Sequence, residues 1–396
     1  MVEAAGRVPH EPLAKLFLRF LRFGCLAWGG PVAQIAMIRQ ELVEEEKWIT
    51  KERFNRVLAV YQALPGPEAH EMCVYFGMLS RGQIGAFLAG LAFMLPGFVL
   101  MFALSWAYLR YGINYAWFAA VLAGFQPAVV ALITRAVHRI GQHAVTNRML
   151  LLCAGMMALA EICRVPFYIP LLIAGTAYSL AAKSKRAALL LITIMILSSA
   201  GWMVSRSQSG ALETGATFQP TLLNLLISGF RTGLLTFGGA YTAIPFMRHD
   251  AVVAGGWMTN AQFLDGLALS GILPAPLIIF STFVGYLGGG PAGAVLITLG
   301  VFLPAFAFTM LGYKSLEKII DYAPLHRFLD GLAAGVTGLI AVTALRLLPQ
   351  ALSGIKSALI FTAALIVLYR WKHKGAIAFV MLGAGLAGLL LSRLPF

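Results

Sequence analysis

A double proline break, Leu64-Pro65-Gly66-Pro67, runs directly into Glu68, His70 and Glu71. Three titratable residues in four positions stand out in a chain that is 12% charged and 59% hydrophobic. If a helix starts after Pro67, Glu68 and Glu71 lie on one face of it. Their chemistry has three forms. A metal would accept two carboxylates and an imidazole, but no second cluster supplies the remaining ligands, so no metal site is expected. The first turn of a helix favours acids through its dipole, a purely structural role. The third form is a proton relay, because a carboxylate at membrane depth is costly and serves function, and histidine titrates near neutral pH. A second set of candidates is basic: Arg22 and Arg231, Arg39 and Arg248. The planar guanidinium fork suits oxyanions. The competing roles are snorkelling to the interface and, for Arg39, pairing with Glu41 or a nearby acid.

The elements that must position these residues are set by composition. Mean hydropathy is +0.81, and a soluble chain would carry about twice this charge. Apolar segments recur along the whole chain near the length that spans a bilayer. They are continuously apolar rather than alternating, which disfavours a β-barrel. The expected class is an all-α polytopic membrane protein. Lys and Arg total 30 against 16 Asp and Glu, a net charge of +14. In a membrane protein that excess reads as cytoplasmic loops, not nucleic-acid binding. Pro9, His10, Glu11 and Pro12 precede the first apolar run, so no cleavable signal is expected. Cys25, Cys73, Cys153 and Cys163 lack paired metal spacing and read as small buried hydrophobes. There is no nucleotide-binding loop, no HExxH and no GxSxG, so neither a cofactor nor an enzyme is expected.

The chain repeats itself. Gly24–Glu41, "GCLAWGGPVAQIAMIRQE", aligns with Gly233–Asp250, "GLLTFGGAYTAIPFMRHD". In that register Trp48 meets Trp257, Thr50 meets Thr259, and Leu64–Pro67 "LPGP" meets Leu273–Pro276 "LPAP". After a one-residue shift, Phe93–Phe98 "FMLPGF" meets Val301–Phe306 "VFLPAF". Two repeats are expected, 1–186 and 218–396, joined by a linker helix and outside loop over 187–217. Basic residues alternate between rich and poor loops, and the alternation reverses between halves. The Arg110 loop is poor while its counterpart holds Lys314, Lys318 and Arg327; the turn with Arg135, Arg139 and Arg148 is rich while its counterpart holds only Arg346 and Lys356. The positive-inside rule then predicts inverted-topology repeats with the N-terminus cytoplasmic.

Within half one, helices are expected over Leu13–Trp28, Pro31–Glu46, a segment opened by Thr50, a short Glu68–Leu79, and spans at Ile84–Leu109, Trp117–Ile140, Met149–Cys163 and Phe167–Ala182. Several are too short to cross and meet at Gly/Pro breaks. Broken backbone at membrane depth must face protein or water, and it marks a transport site near the midplane. The breaks are Gly29-Gly30-Pro31, Gly238-Gly239-Ala240, Pro65-Gly66-Pro67 and Pro274-Ala275-Pro276. Each starts a helix whose N-terminus is electropositive, so breaks that converge would bind an anion. The glycines also fit plain helix packing.

The segments "WGGPVAQIAMIRQELVEEEKWI", "ALPGPEAHEMCVYFG" and "FGGAYTAIPFM…GWMT…LPAP" resemble the chromate ion transporter family of the two-half type, over nearly the whole chain. That resemblance implies an inner-membrane secondary transporter that moves chromate outward. Sulfate would be the competing tetrahedral dianion, and a homodimer is compatible with it. It implies substrate binding by Gly29, Gly30, Pro31, Pro65, Gly66, Pro67, Gly238, Gly239, Pro274 and Pro276, beside the arginines Arg39 and Arg248 argued above. The chain departs from the pattern at Trp28 (Phe), Ala240 (Pro) and Ala275 (Gly). Half two also places Leu277, Ile279 and Phe280 where half one has Glu68, His70 and Glu71, so the acids are not needed for the fold of the motif. An anion channel of the same architecture is the alternative function.

Overall fold

The computed structural model describes residues 8–112, 115–208, 218–237, 239–312, 322–371 and 375–393, and every regular element among them is helical. Half one contains α1 (Leu13–Cys25), α2 (Pro31–Arg39), α3 (Lys51–Ala63), α4 (Glu68–Ala107), α5 (Ala116–Ala144), α6 (Arg148–Ile162) and α7 (Tyr168–Ala181). The linker helix is α8 (Lys185–Gln208). Half two contains α9 (Leu222–Leu234), α10 (Ala243–Arg248), α11 (Asn260–Gly271), α12 (Phe280–Gly312), α13 (Ala323–Ala351), α14 (Ile355–Arg370) and α15 (Ala376–Leu391). The two series correspond element by element in order. Lys314, Lys318, Lys372, Lys374 and Gly238 lie outside the described residues.

The correspondence extends to local devices. α1 and α9 are each 13 residues long, and α5 and α13 each 29. Thr50 and Thr259 both cap the helix that follows, each accepting a backbone N–H three residues on. The expected Pro31–Glu46 helix ends as α at Arg39 and continues as a π turn, Gln40–Glu45, matched by His249–Ala254 in half two. The halves differ where proline is lost. Pro31 fixes φ at the first helical position and α2 starts directly. Ala240 takes its place in half two, and a 3-10 turn, Ala240–Thr242, precedes α10.

At 40 residues α4 would measure about 60 Å if straight, twice the hydrocarbon thickness. It is instead a hairpin. Arg81 and Gly82 leave helical geometry, Gly82 with φ +58°, and the limbs on either side fold back on each other. Gly77 and Gly85 sit where they cross: a β-carbon on either would lie 2.3 Å from the other's carbonyl oxygen. Only glycine permits that approach. α12 repeats the device at Gly289 and Gly290, with Gly285 against Gly293. The expected short Glu68–Leu79 helix and Ile84–Leu109 span are the two limbs. α1 and α9 then close against the returning limbs, Gly24 on the Phe93 carbonyl and Gly233 on the Val301 carbonyl.

The second part of each half interlocks with the other half. α5 packs against α14 and α15, while α13 packs against α6 and α7. Gly124 meets the Ala384 carbonyl and Gly388; Gly331 meets the Ala174 carbonyl and Gly175. The start of α13 lies beside the end of α7, where Ser179 Oγ donates to the Pro324 carbonyl (3.3 Å). The starts of α5 and α14 lie beside the end of α15: Lys356 Nζ donates to the Leu391 carbonyl (2.8 Å), and Gly388 touches the Ala120 carbonyl. Among the described residues, five helical stretches are long and apolar enough to cross a membrane, two of them containing the hairpins. The chain is a multi-pass membrane protein. Cys73, Cys153 and Cys163 are buried as expected, but Cys25 is exposed. It falls on the last turn of α1, on the side away from Leu16, Phe20 and Phe23, which are buried.

Half one carries an additional clamp. Lys15, Arg19 and Arg22 form a basic stripe on α1 flanking its buried face. Arg19 bonds Glu11 (2.7 Å), Glu41 (2.7 Å) and Glu46 (2.6 Å) and stacks over Trp48. Glu11 is buried, and its backbone carbonyl accepts from Arg81 at the hairpin tip (3.1 Å). Burial alone would push the Glu11 carboxyl up, but the bonds from Arg19 and Lys15 outweigh it and hold the group below its ordinary value of 4.5. A carboxyl lowered on folding stabilises fully above its unfolded value and loses that contribution as pH falls through the folded one. Glu11→Gln is therefore expected to cost about 2 kcal/mol at pH 7. The gap to the parent protein should shrink toward nothing in detergent melts taken at successively lower pH below 4.5. A gap that persists unchanged would exclude the ionised clamp.

Candidate functional site

The Pro65-Gly66-Pro67 break is wholly buried, so it is no surface turn. Its central peptide reaches across to the other half: Gly66 N–H donates to the Thr236 carbonyl (2.8 Å), just ahead of the Gly238-Gly239 break. This satisfies a backbone donor that hydrocarbon would leave unpaired. Gly66 has φ +151°, and a β-carbon there would lie 2.8 Å from the Glu71 carboxylate, so the position requires glycine. In half two the 3-10 turn after Gly239 packs against the turn that follows Pro276, Leu277–Ile279. Ala275 in turn presses on Gly97 of α4. Three breaks are thus brought together: Pro65–Pro67, the one at Gly239, and Pro274–Pro276. The fourth, Gly29-Gly30-Pro31, is half-buried and faces Ile377 of α15.

Beside this junction the interior is open. Gly239 is buried, yet a β-carbon on it would meet no atom within 4 Å among the described residues. Tyr241, one turn into the same helix start, lies in the field of Arg135 and Arg139. Arg139 is also within electrostatic reach of Glu68. The two arginines are one turn apart on α5 and therefore share a face. Helix starts, an open pocket by a glycine backbone and two guanidinium groups together make an electropositive cradle.

Glu68, His70 and Glu71 diverge from one another. Glu68 is half-buried toward Arg139. Glu71 is fully buried against Gly66, and neither carboxylate oxygen has a hydrogen-bond partner among the described residues. His70 is fully buried between the rings of Phe302 (4.9 Å) and Phe306 (4.7 Å) of half two. The three do not form one chelating cluster. They instead occupy the seam between the halves, with Glu71 touching the peptide that joins them.

The arginines singled out in the sequence are otherwise engaged. Arg22 pairs with Glu41, and Arg231 with Asp250, which also accepts from Ser228 (2.6 Å). Arg39 pairs with Glu44 (3.1 Å) and Arg248 donates to Asn260 (2.9 Å). The nine residues of α2 place Arg39 about 12 Å from the break. Sequence reasoning missed Arg135 and Arg139, which were read only as loop charge. Their four-residue spacing inside an apolar helix was the available signal. It also missed Asp265, buried on α11, which accepts from Tyr108 Oη (2.9 Å) and Gln126 Nε2 (2.9 Å) of half one. The rule that singled out Glu68 applies equally to this lone acid in an apolar stretch. Glu161, paired with Arg346 (2.8 Å) near Arg248, is a third.

Known proteins place this architecture. A chromate transport protein of Pseudomonas aeruginosa is 53% identical over 388 residues, covering 96% of this chain and 93% of the relative. A chromate transport protein of Cupriavidus metallidurans is 30% identical over 403 residues, covering 98% of this chain and 96% of that one. An uncharacterised transporter of Methanocaldococcus jannaschii is 26% identical, covering 90% and 89%. No solved structure shows a significant match. The chromate transporter family matches residues 14–207 and 223–389, and with both repeats covered the chain belongs to that family.

Proposed function

We propose that the chain is a secondary carrier that moves chromate outward across the inner membrane, through a site at the junction of the broken helices. The observation that supports it most is the buried junction itself. Gly66 is tied to Thr236 across the halves, beside the open backbone of Gly239 and within the field of Arg135 and Arg139. A tetrahedral dianion fits such a cradle through backbone N–H groups and guanidinium forks. Sulfate has the same shape and charge and is the expected competitor. The relatives named for chromate transport cover nearly the whole chain, which favours the same substrate here. The test is labelled chromate and sulfate uptake into inverted vesicles, with and without a pH gradient. Chromate is expected to accumulate, sulfate to compete, and Arg139→Gln to raise KM about tenfold through loss of a charged hydrogen bond. Failure of both anions to move would reject the substrate. A conductance far above carrier rates would favour the channel reading.

The two repeats are taken to be inverted, with the N-terminus cytoplasmic and the unit boundaries near 186 and 218. The ends of the helices support this. α5 crosses and is followed at once by α6, so their starts lie on opposite faces. The start of α13, the counterpart of α5, lies with the end of α7, which is on the face where α6 begins. Single cysteines at Arg327 and Arg148 are therefore expected to label from the cytoplasm, and one at Lys356 from outside. Labelling of Arg327 and Lys356 from the same side would sink the inversion.

Glu71 and Glu68 are assigned the coupling proton. Glu71 is buried without a hydrogen-bond partner among the described residues and lies against the junction peptide, a costly placement that the second repeat does without, having Leu277, Ile279 and Phe280 there. Outward movement of a dianion is already helped by an inside-negative potential, so the proton sets pH dependence more than driving force. Glu71→Gln and Glu68→Gln are expected to flatten the pH profile of transport while expression is retained. Unchanged profiles in both variants would remove the acids from coupling.

A further inference from the structure

A separate feature lies at the rim of the fold, where α6 and α8 begin, α7 ends and α13 begins. A cavity of about 650 Å³ opens there, within the ~300–1,000 Å³ range of small-ligand sites. Arg148, Lys185 and Arg327 line it, each from a different helix and one from the other half of the chain. None of the three has an acidic partner among the described residues. Three like charges converging on one cleft repel each other unless an anion joins them.

The rest of the lining says which anion. Leu152 and Leu189 form an apolar wall and are themselves exposed on the outside of the bundle. That surface meets lipid tails in a membrane. Tyr178 stands at the polar end, where its hydroxyl accepts from Asn147 Nδ2 (2.9 Å), the amphipathic placement common at a membrane interface. The start of α6 is already satisfied, because Asn147 Oδ1 accepts from the Met149 and Leu150 N–H groups (3.0 Å each). The anion must therefore be held by side-chain cations, with its apolar part continuing along the leucine wall.

We propose that this cleft binds an anionic phospholipid, its phosphate headgroup among Arg148, Lys185 and Arg327 and its acyl chains along Leu152 and Leu189. Basic pockets between membrane helices recognise such headgroups. Bound there, the lipid bridges α6, α7 and α8 of the first half and linker to α13 of the second, at the face where the halves interlock. The proposal is independent of the substrate and of the direction of transport.

The test is lipid retention by the full-length protein. Protein is reconstituted in phosphatidylcholine nanodiscs containing phosphatidylglycerol, then delipidated and read by native mass spectrometry. Retained phosphatidylglycerol over phosphatidylcholine, and a melting temperature raised by adding phosphatidylglycerol but not inorganic phosphate, are the expected results. Affinity should fall about fivefold for each charge removed in Arg148→Gln, Lys185→Gln and Arg327→Gln, and Arg148→Lys with Arg327→Lys should retain it. The single Lys185→Gln variant serves if the triple variant does not fold. Equal retention of the two lipids, or selectivity untouched by the Gln substitutions, overturns the proposal. Displacement of phosphatidylglycerol by inorganic phosphate at equal concentration also overturns it, in favour of a soluble anion.

Discussion

Unpaired backbone is the constraint on which the rest of this structure depends. Helices that stop inside a membrane leave N–H and C=O groups that lipid cannot satisfy. The chain stops its helices at two proline-flanked breaks and two Gly-Gly breaks, and then must seal them with protein. The bond from Gly66 N–H to the Thr236 carbonyl is one seal, made between halves rather than within one. Gln34 makes another locally, its side-chain nitrogen donating to the Ala27 carbonyl (2.8 Å) beside the first break. Once breaks are sealed against each other, their helix starts necessarily converge. The electropositive junction follows from the sealing; it did not require lysines buried for the purpose.

The hairpins make that convergence reachable. A half-length limb can place its start at the middle of the fold only if the chain returns beside it. The Gly77–Gly85 and Gly285–Gly293 crossings allow the return at backbone contact. α1 and α9 then close on the returning limbs through Gly24 and Gly233. Each half is therefore a set of close-packed hairpins, and small residues rather than large side chains set the spacing. The bulky residues are kept for the seams. Phe302 and Phe306 of half two enclose His70 of half one, and Tyr61 meets Thr309 across the same boundary (3.1 Å).

Much of this could be read from residue types. Composition gives the class, the repeat gives the two corresponding halves, and proline and glycine give the break points because each acts through local backbone geometry. Even the helix start at Thr50 was legible, and the repeat register places Thr259 at the matching point. What escaped the sequence is what depends on contacts between distant elements. Arg135 and Arg139 look like loop charge until the fold brings them within electrostatic reach of Tyr241, beside the break of the other half. Asp265 looks solitary until Tyr108 and Gln126 arrive from 139 or more positions away in the chain. Conversely, Arg39 and Arg248 looked like symmetric ligands because duplication had copied them. Their helices carry them a turn or more beyond the junction, to Glu44 and Asn260. Symmetry in sequence marks shared ancestry of position, and only geometry separates scaffold from site.

The departures from symmetry then become the informative positions. Half two lacks the proline that starts α2, lacks the glycine of Gly66 and lacks all three titratable groups, yet it forms the same hairpins. Its helix starts tighten into 3-10 turns where half one has regular α-helix. Half one also holds the Arg19 clamp, whose counterpart in half two is Ser228, bonded to Asp250. In the inverted arrangement proposed above, a duplicated scaffold would serve both faces of a membrane equally if its halves were identical. Here one half contributes the buried acid at the seam and the other contributes the open glycine and the enclosing phenylalanines. Any change in the charge of Glu71 is felt at Gly66, and through the Gly66–Thr236 bond it bears on the backbone that leads into Gly239. That is the route the proposed coupling would take, a proton on Glu71 in one repeat acting through Gly66 on the proposed site at Gly239 in the other.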